Sequence, residues 1–466
     1  MRAAHRADAA MNSYSTADLV AWDRRYVWHP FIQMQDWLAE EPLIIERGEG
    51  NYLIDTEGRR YLDGVSSLWC NVHGHRKQEL DEALRAQSER IAHSTMLGLS
   101  NVPATVLAKR LVEITPPNLT RVFYSDSGAT AVEVALKLAL QFWQLRGESQ
   151  RTRFVALSEG YHGDTLGAVG VGYSETFHRF FRSVLSPALR INPPHVYRWL
   201  RGETAEAALD SALADAQRVF AEHGGEIAGL IAEPLMQGAA GMWAQPLGYL
   251  PALRDLARRH GTLLICDEVA TGFGRTGSMF AIDHEAVEPD LLCLGKGLTG
   301  GYLPLAATLA TEEIFTAFLG PHESVRAFFH GHTYTGNPLA SAVALASLDI
   351  FEREGVIARV GHRAAQFAEG LEEKLAPLLQ VGDIRQWGLM AGVELVRDRG
   401  RREPYESRER IGHRVILEAR RRGVILRPLG NVIVLMPPLS IVPEELDHLT
   451  SVVRDAIEAA TAGSAS

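Results

Sequence analysis

Cysteine is scarce in this chain: Cys70, Cys266 and Cys293 are the 3 cysteines among 466 residues, odd in number and far apart. They cannot build a disulfide framework, so a reducing compartment, the cytoplasm, is the expected location. No apolar run reaches the roughly 18 residues that a membrane-spanning helix needs. Nor is there an excess of positive charge. The 47 Lys and Arg stand against 57 Asp and Glu, a net charge of −10. That balance argues against nucleic acid and against an anionic membrane surface as partners, because both call for a basic footprint. Internal repeats are absent. Met1 to Ala10 mixes Arg2, Arg6 and Asp8 with alanines and has no apolar signal core.

What the chain does have is an ordinary globular composition, with 46% hydrophobic and 22% charged residues. Its length suggests about two to three domains. Leu43 to Leu62 reads as two short strands around the turn at Glu57-Gly58, and Pro103 to Ile114 as a helix. A rhythm of short apolar run, polar turn and amphipathic helix follows. The runs are Val122–Tyr124, Phe154–Leu157, Ile227–Ala232, Leu263–Cys266 and Leu291–Leu294. Such βα alternation predicts a mostly parallel sheet with helices on both faces. A long helical pattern begins after Asn337, breaks near Gly355 and runs toward Lys374; strand-like runs follow at Met390–Val396 and Val432–Leu435. The expected organisation is a flexible extension over residues 1–15, a large α/β domain over 76–340, and a smaller domain assembled from 16–75 and 341–460.

In such sheets, sites form beyond the carboxyl ends of the strands, and there the chain places its chemistry. Ser127-Gly128-Ala129 opens a helical pattern whose first backbone N–H groups can hold a phosphate; alone it is an ordinary strand-to-helix turn. Tyr161, in Gly160-Tyr161-His162-Gly163-Asp164, can stack on a planar cofactor, although a loop aromatic is more often packing. Glu233 offers a carboxylate that could equally be a loop residue. Asp267 ends a buried run, where an acid is costly unless paired; a helix cap is the plainer account. Thr271 to Gly277 is a glycine-rich loop carrying Arg275. Lys296 follows the last run between two glycines; a lysine desolvated there becomes a usable amine nucleophile. Most lone lysines are solvated, but few follow a buried strand. The polar, aromatic segment Phe329 to Asn337 carries hydroxyls suited to a phosphate. His330 and His332, with His73 and His75, lack a metal-site spacing, so no metal is expected.

The order of these signals, with Asp267-Glu268-Val269-Ala270-Thr271-Gly272-Phe273-Gly274-Arg275-Thr276-Gly277 followed by Gly295-Lys296-Gly297, resembles the class III, fold type I aminotransferases that depend on pyridoxal 5'-phosphate. The resemblance covers about Leu19 to Ile457. Within that family the chain looks most like the branch that aminates 8-amino-7-oxononanoate to 7,8-diaminononanoate in biotin biosynthesis. Trp28-His29-Pro30, Ser66-Ser67-Leu68-Trp69, His73-Gly74-His75, Tyr161-His162-Gly163-Asp164-Thr165 and Arg427-Pro428-Leu429-Gly430 carry that likeness. It implies that Lys296 bonds the cofactor and shuttles the proton, that Asp267 faces the pyridine nitrogen, and that Tyr161 stacks over the ring. Gly128 and Ala129 would hold the phosphate, helped by Thr333, with His332 beside it, from the other subunit of a homodimer. Arg427 would grip the keto substrate's carboxylate. Phe31, Leu68, Trp69, Arg275 and Gly331 would line the substrate site.

Two positions bear on the amino donor. Members that use S-adenosylmethionine often carry tyrosine at Phe31 and tryptophan at Leu68; Phe31, Leu68 and His332 together look more like the branch that takes its nitrogen from lysine. Either donor fits the resemblance. The alternatives are another class III ω-amino acid or diamine transaminase, an aminomutase of the same fold, and a non-catalytic dinucleotide-binding domain. The last would want a Gly-x-Gly-x-x-Gly after its first strand, whereas here the spacing occurs late, at Gly272–Gly277 and Gly295–Gly300.

Overall fold

The computed structural model describes residues 14–200 and 204–462. The extension expected over 1–15 therefore lies almost wholly outside the described residues; Ser15 is the N-cap of the helix Thr16–Tyr26.

Seven strands form the large sheet: β1 (Leu119–Ser125), β2 (Arg153–Leu157), β3 (Leu189–Ile191), β4 (Ile227–Ala232), β5 (Leu263–Asp267), β6 (Leu291–Leu294) and β7 (Ala306–Thr311). Their spatial order is β1-β7-β6-β5-β4-β2-β3. All contacts from β6 through β3 are parallel. Strand β7 is antiparallel to both neighbours, so β1 points the same way as β6. Every residue of β4, β5 and β6 is buried, as expected of central strands covered on both faces.

The sequence reading locates five of the seven strands. It misses β3, which has three residues, and β7. The sequence of β7, Ala-Ala-Thr-Leu-Ala-Thr, has no valine, isoleucine or aromatic residue and is half alanine, which strands disfavour. Its small side chains suit its place under the helix Gly128–Leu145, which buries Ala131, Val134, Ala135, Leu138 and Phe142. Trp143 pins that helix to the sheet by donating to the Ala228 carbonyl at 2.8 Å.

Both chain ends meet in one further sheet. Ile45–Glu49, Tyr52–Asp55 and Arg60–Asp63 form a meander, three strands where two are expected, and Val424–Ile425 adds to its edge parallel to Arg60–Asp63. Val381–Trp387, Met390–Asp398, Val432–Leu435 and Arg427–Leu429 make an antiparallel sheet. The long helical pattern is two helices, Pro338–Arg353 and Val356–Lys374, broken at Gly355, whose φ of +57° is left-handed backbone that glycine adopts without strain. Helices Ile411–Arg421 and Pro443–Thr461 complete the chain.

Candidate active site

The segments after β1, β2, β4, β5 and β6 converge on a cavity of ≈ 440 Å³. Gly128, Ala129, Tyr161, Glu233, Asp267 and Lys296 all line it, and Trp69 closes one side. Because these strands run the same way, their carboxyl ends share one edge of the sheet, and residues separated by up to about 170 positions become neighbours.

Lys296 turns out of β6 with φ +40°, in the left-handed region that a side chain rarely adopts. Its ammonium lies 4.9 Å from the centre of the Trp69 ring. Burial holds its pKa below the ordinary lysine value, while Asp267 and Glu233 pull it back upward. The amine is thus biased toward the neutral, nucleophilic form. Trp69 is itself held at a cost: Ser66, Ser67 and Trp69 all have positive φ. Asp63 braces this segment, accepting from the Ser67 N–H at 2.8 Å, the Ser67 hydroxyl at 2.9 Å and His75 Nε2 at 3.0 Å.

Asp267 ends β5 with 5% of its surface exposed. Its Oδ1 accepts from the Val269 N–H at 3.0 Å, and its Oδ2 lies 2.7 Å from His162 Nδ1. The buried acid is thus paired, as its position demands. His162 Nε2 is buried without a partner. Glu233 accepts from the backbone N–H groups of Tyr161 (3.1 Å) and Gly238 (2.9 Å). Burial lifts its pKa from 4.5 to about 7, against the attraction of His162 and with the help of Asp267. Its carboxyl is therefore on the edge of holding a proton at neutral pH.

Ser127 caps the helix Gly128–Leu145. The first backbone N–H groups of a helix have no carbonyl partner within it and favour an anion. A Cβ at Gly128 would overlap the Val269 side chain, so glycine is what lets the helix start approach β5. The Tyr161 hydroxyl donates to Asp164 Oδ2 at 2.8 Å, and burial followed by that bond raises the phenol pKa.

The other expected site residues lie elsewhere. Phe31 and Arg427 share an adjoining cavity of ≈ 420 Å³, with the guanidinium carbon 5.7 Å from the ring centre. Burial lowers the Arg427 pKa, and no carboxylate among the described residues pairs with it. Leu68 is exposed. Gly331, His332 and Thr333 sit on a largely exposed segment outside the main cavity; His332 Nδ1 lies 2.8 Å from Asp126 Oδ2. Arg275, expected to line the substrate site, does not reach either cavity. Its side chain is sealed inside, donating to the Pro437 carbonyl at 2.6 Å and the Asn71 carbonyl at 2.7 Å, and so ties the glycine-rich loop to both chain ends. Sequence reasoning gave no role to His162, Asp63 or Asp164; only His162 and Asp164 stood in a flagged motif.

A nucleophilic amine, a paired buried acid, an aromatic ring and a helix N-terminus share one cavity, and each suits a different part of pyridoxal phosphate. The residues present fit that group. Such chemistry on a mostly parallel sheet defines a transaminase of the class III type, and the chain belongs to that family: the model for aminotransferase class III matches residues 34–457. Among individual relatives, the adenosylmethionine-8-amino-7-oxononanoate aminotransferase of Geobacter sulfurreducens is 52% identical, over 97% of this chain and 100% of its own length. The enzyme of the same name from Nitratidesulfovibrio vulgaris is 56% identical, over 96% of this chain and 82% of its own. Of solved structures, the enzyme of that name from Methanocaldococcus jannaschii superposes with a TM-score of 0.91 at 46% identity, covering 96% of this chain and 99% of that one. An omega transaminase from Pseudomonas jessenii, solved in complex with PMP, also reaches 0.91, at 31% identity and with 95% and 98% covered.

Proposed function

We propose that this aminotransferase converts 8-amino-7-oxononanoate to 7,8-diaminononanoate in biotin biosynthesis, using pyridoxal 5'-phosphate in the cavity below Trp69. The observation that carries the substrate is a contrast. By TM-score the fold is equally near the biotin enzyme and the omega transaminase, both at 0.91, yet identity is 46% to the first and 31% to the second. Side chains, not the backbone, select the substrate. The equal TM-scores are also what favours the second reading, an ω-amino acid or diamine transaminase.

Bound in this cavity, the cofactor supplies an electron sink for the carbon that loses its proton. Lys296, with its lowered pKa, would join it covalently, then take that proton and return it. Asp267 would keep the pyridine nitrogen charged, with His162 holding the carboxylate in register. Gly128 and Ala129 would hold the phosphate and Tyr161 would cover the ring. Arg427, which has no acidic partner among the described residues, would receive the substrate carboxylate, for which a planar fork is suited. Gly331, His332 and Thr333, outside their own subunit's cavity, would complete the site of a second copy in a cytoplasmic homodimer. The division into residues 16–75 with 341–460, around a core of 76–340, belongs to the same proposal.

The donor is S-adenosylmethionine or lysine. The experiment feeds the purified enzyme 8-amino-7-oxononanoate with each donor separately and detects the diamine. Formation with either supports the proposal and names the donor. No diamine with both, alongside turnover of ω-amino acids, transfers the function to the second reading.

A further inference from the structure

One histidine of the His73-Gly74-His75 motif reaches the cavity wall through a single carboxylate. His75 is itself anchored: its backbone N–H donates to the Gly50 carbonyl at 2.6 Å, and its side chain lies so close to Gly48 that a Cβ there would stand 2.6 Å from its own. Its ring Nε2 lies 3.0 Å from Asp63 Oδ2. An ionised carboxylate only accepts, so Nε2 carries a proton and donates it. Asp63 ends the strand Arg60–Asp63 with 0% of its surface exposed. Its Oδ1 accepts the Ser67 N–H at 2.8 Å, and its Oδ2 accepts the Ser67 hydroxyl at 2.9 Å as well as His75.

Ser67 needs such a hold. Its φ of +61° and ψ of −76° fall in the rare, strained γ-turn region, and Ser66 and Trp69 also have positive φ. The Ser66 hydroxyl donates to the Met436 carbonyl at 2.7 Å, which leaves Ser67 to Asp63. Trp69 has no polar anchor of its own, since its indole Nε1 is buried without a hydrogen-bond partner among the described residues. The ring packs with Met236, Met242, Met390 and Met436, flexible side chains that yield to a shifted neighbour. The backbone of this segment therefore sets where the indole stands, 4.9 Å from the Lys296 ammonium.

We propose that Asp63 and His75 are positioning residues: the imidazole fixes the carboxylate, the carboxylate holds Ser67 in its strained turn, and the turn sets the place of Trp69 against Lys296. The rival role is a plain structural one, in which His75 only ties the end of one strand to the loop that follows the turn.

Two substitutions at His75 separate these roles. His75→Leu removes the donor, and His75→Gln returns an amide N–H near the place of Nε2. His75→Leu should raise KM for 8-amino-7-oxononanoate about tenfold, the size of one hydrogen bond to a charged group, and His75→Gln should stay within about threefold of the parent. In a Trp69→Ala background, His75→Leu should add nothing to KM, because the ring that it positions is gone. An undiminished rise there overturns the proposal, since a structural tie costs the same with or without the indole. A second readout is independent of turnover. In the ¹⁵N-tryptophan-labelled full chain, the indole signal missing from Trp69→Phe belongs to Trp69. That signal should move or broaden in His75→Leu and return in His75→Gln. Ser67→Ala, which drops the hydroxyl bond and keeps the N–H bond, should displace it less; if His75→Leu does not fold, Ser67→Ala decides by the same signal. A signal that stays in place when these bonds are removed overturns the proposal. The kinetic arm rests on the proposed transamination, but the indole signal does not. An enzyme inactive on 8-amino-7-oxononanoate whose indole signal moves as expected would therefore count against the substrate and not against Asp63 and His75.

Discussion

Replacing Glu233 by glutamine separates two effects that this carboxylate combines. The first is the cost of ionising it in a buried place. A carboxyl whose pKa rises from 4.5 to about 7 on folding loses about 3 kcal/mol of stability once fully ionised. The sign follows from proton counting. Between those two values the folded chain binds more protons than the unfolded one, so stability falls as pH rises through that window. The second effect is hydrogen bonding. The two oxygens serve Tyr161 N–H and Gly238 N–H separately, and glutamine has one oxygen. One buried N–H is left without an acceptor, at a cost of about 1–3 kcal/mol that does not depend on pH. Near pH 5 the second effect wins, and Glu233→Gln should be the less stable chain. Near pH 8 the relief of charge offsets the lost bond, and the variant should equal or exceed the parent. The assay is denaturant unfolding of both cofactor-free chains across that range. The difference between them should swing by about 2.5 kcal/mol from about pH 5 to about pH 8. A difference that stays constant with pH would refute the reasoning, because the carboxyl would then titrate alike in the folded and unfolded chains.

Lys296→Ala should abolish turnover and remove the visible absorbance of a covalently held cofactor; an active, coloured variant would unseat Lys296. Gly128→Ala should weaken cofactor affinity about tenfold, because its methyl group overlaps Val269. Adding Val269→Ala should restore much of that affinity, and a double variant as weak as the single one would mean that the helix start does not depend on this approach. Arg427→Ala should raise KM for 8-amino-7-oxononanoate at least tenfold while leaving the donor's half-reaction within about twofold. Equal damage to both half-reactions would move the carboxylate grip to another residue.

Much of this protein is legible in one dimension. Runs such as Ile227–Ala232 and Leu291–Leu294 match their strands end to end, because a central parallel strand is apolar on both faces and needs no alternation to be seen. Lys296, Asp267, Tyr161 and Gly128 could be picked out because each follows such a run, and a polar residue at the end of a buried strand demands an explanation. Strand β7 was hidden for the converse reason: its alanines carry a packing role that propensity does not register.

The residue order by itself determined the sheet's central strands, the family motif and the cavity's main chemical groups, since each is a local pattern of hydrophobicity, glycine and charge. The tertiary structure alone decided what those groups touch. It turned Arg275 into an internal strut, gave Asp267 a histidine from over a hundred residues away, and tied the Tyr161 hydroxyl to Asp164. It also raised Glu233 to the edge of protonation. These are matters of distance and burial, and both arise only when strands remote in the chain bring their carboxyl ends to the same edge of one sheet.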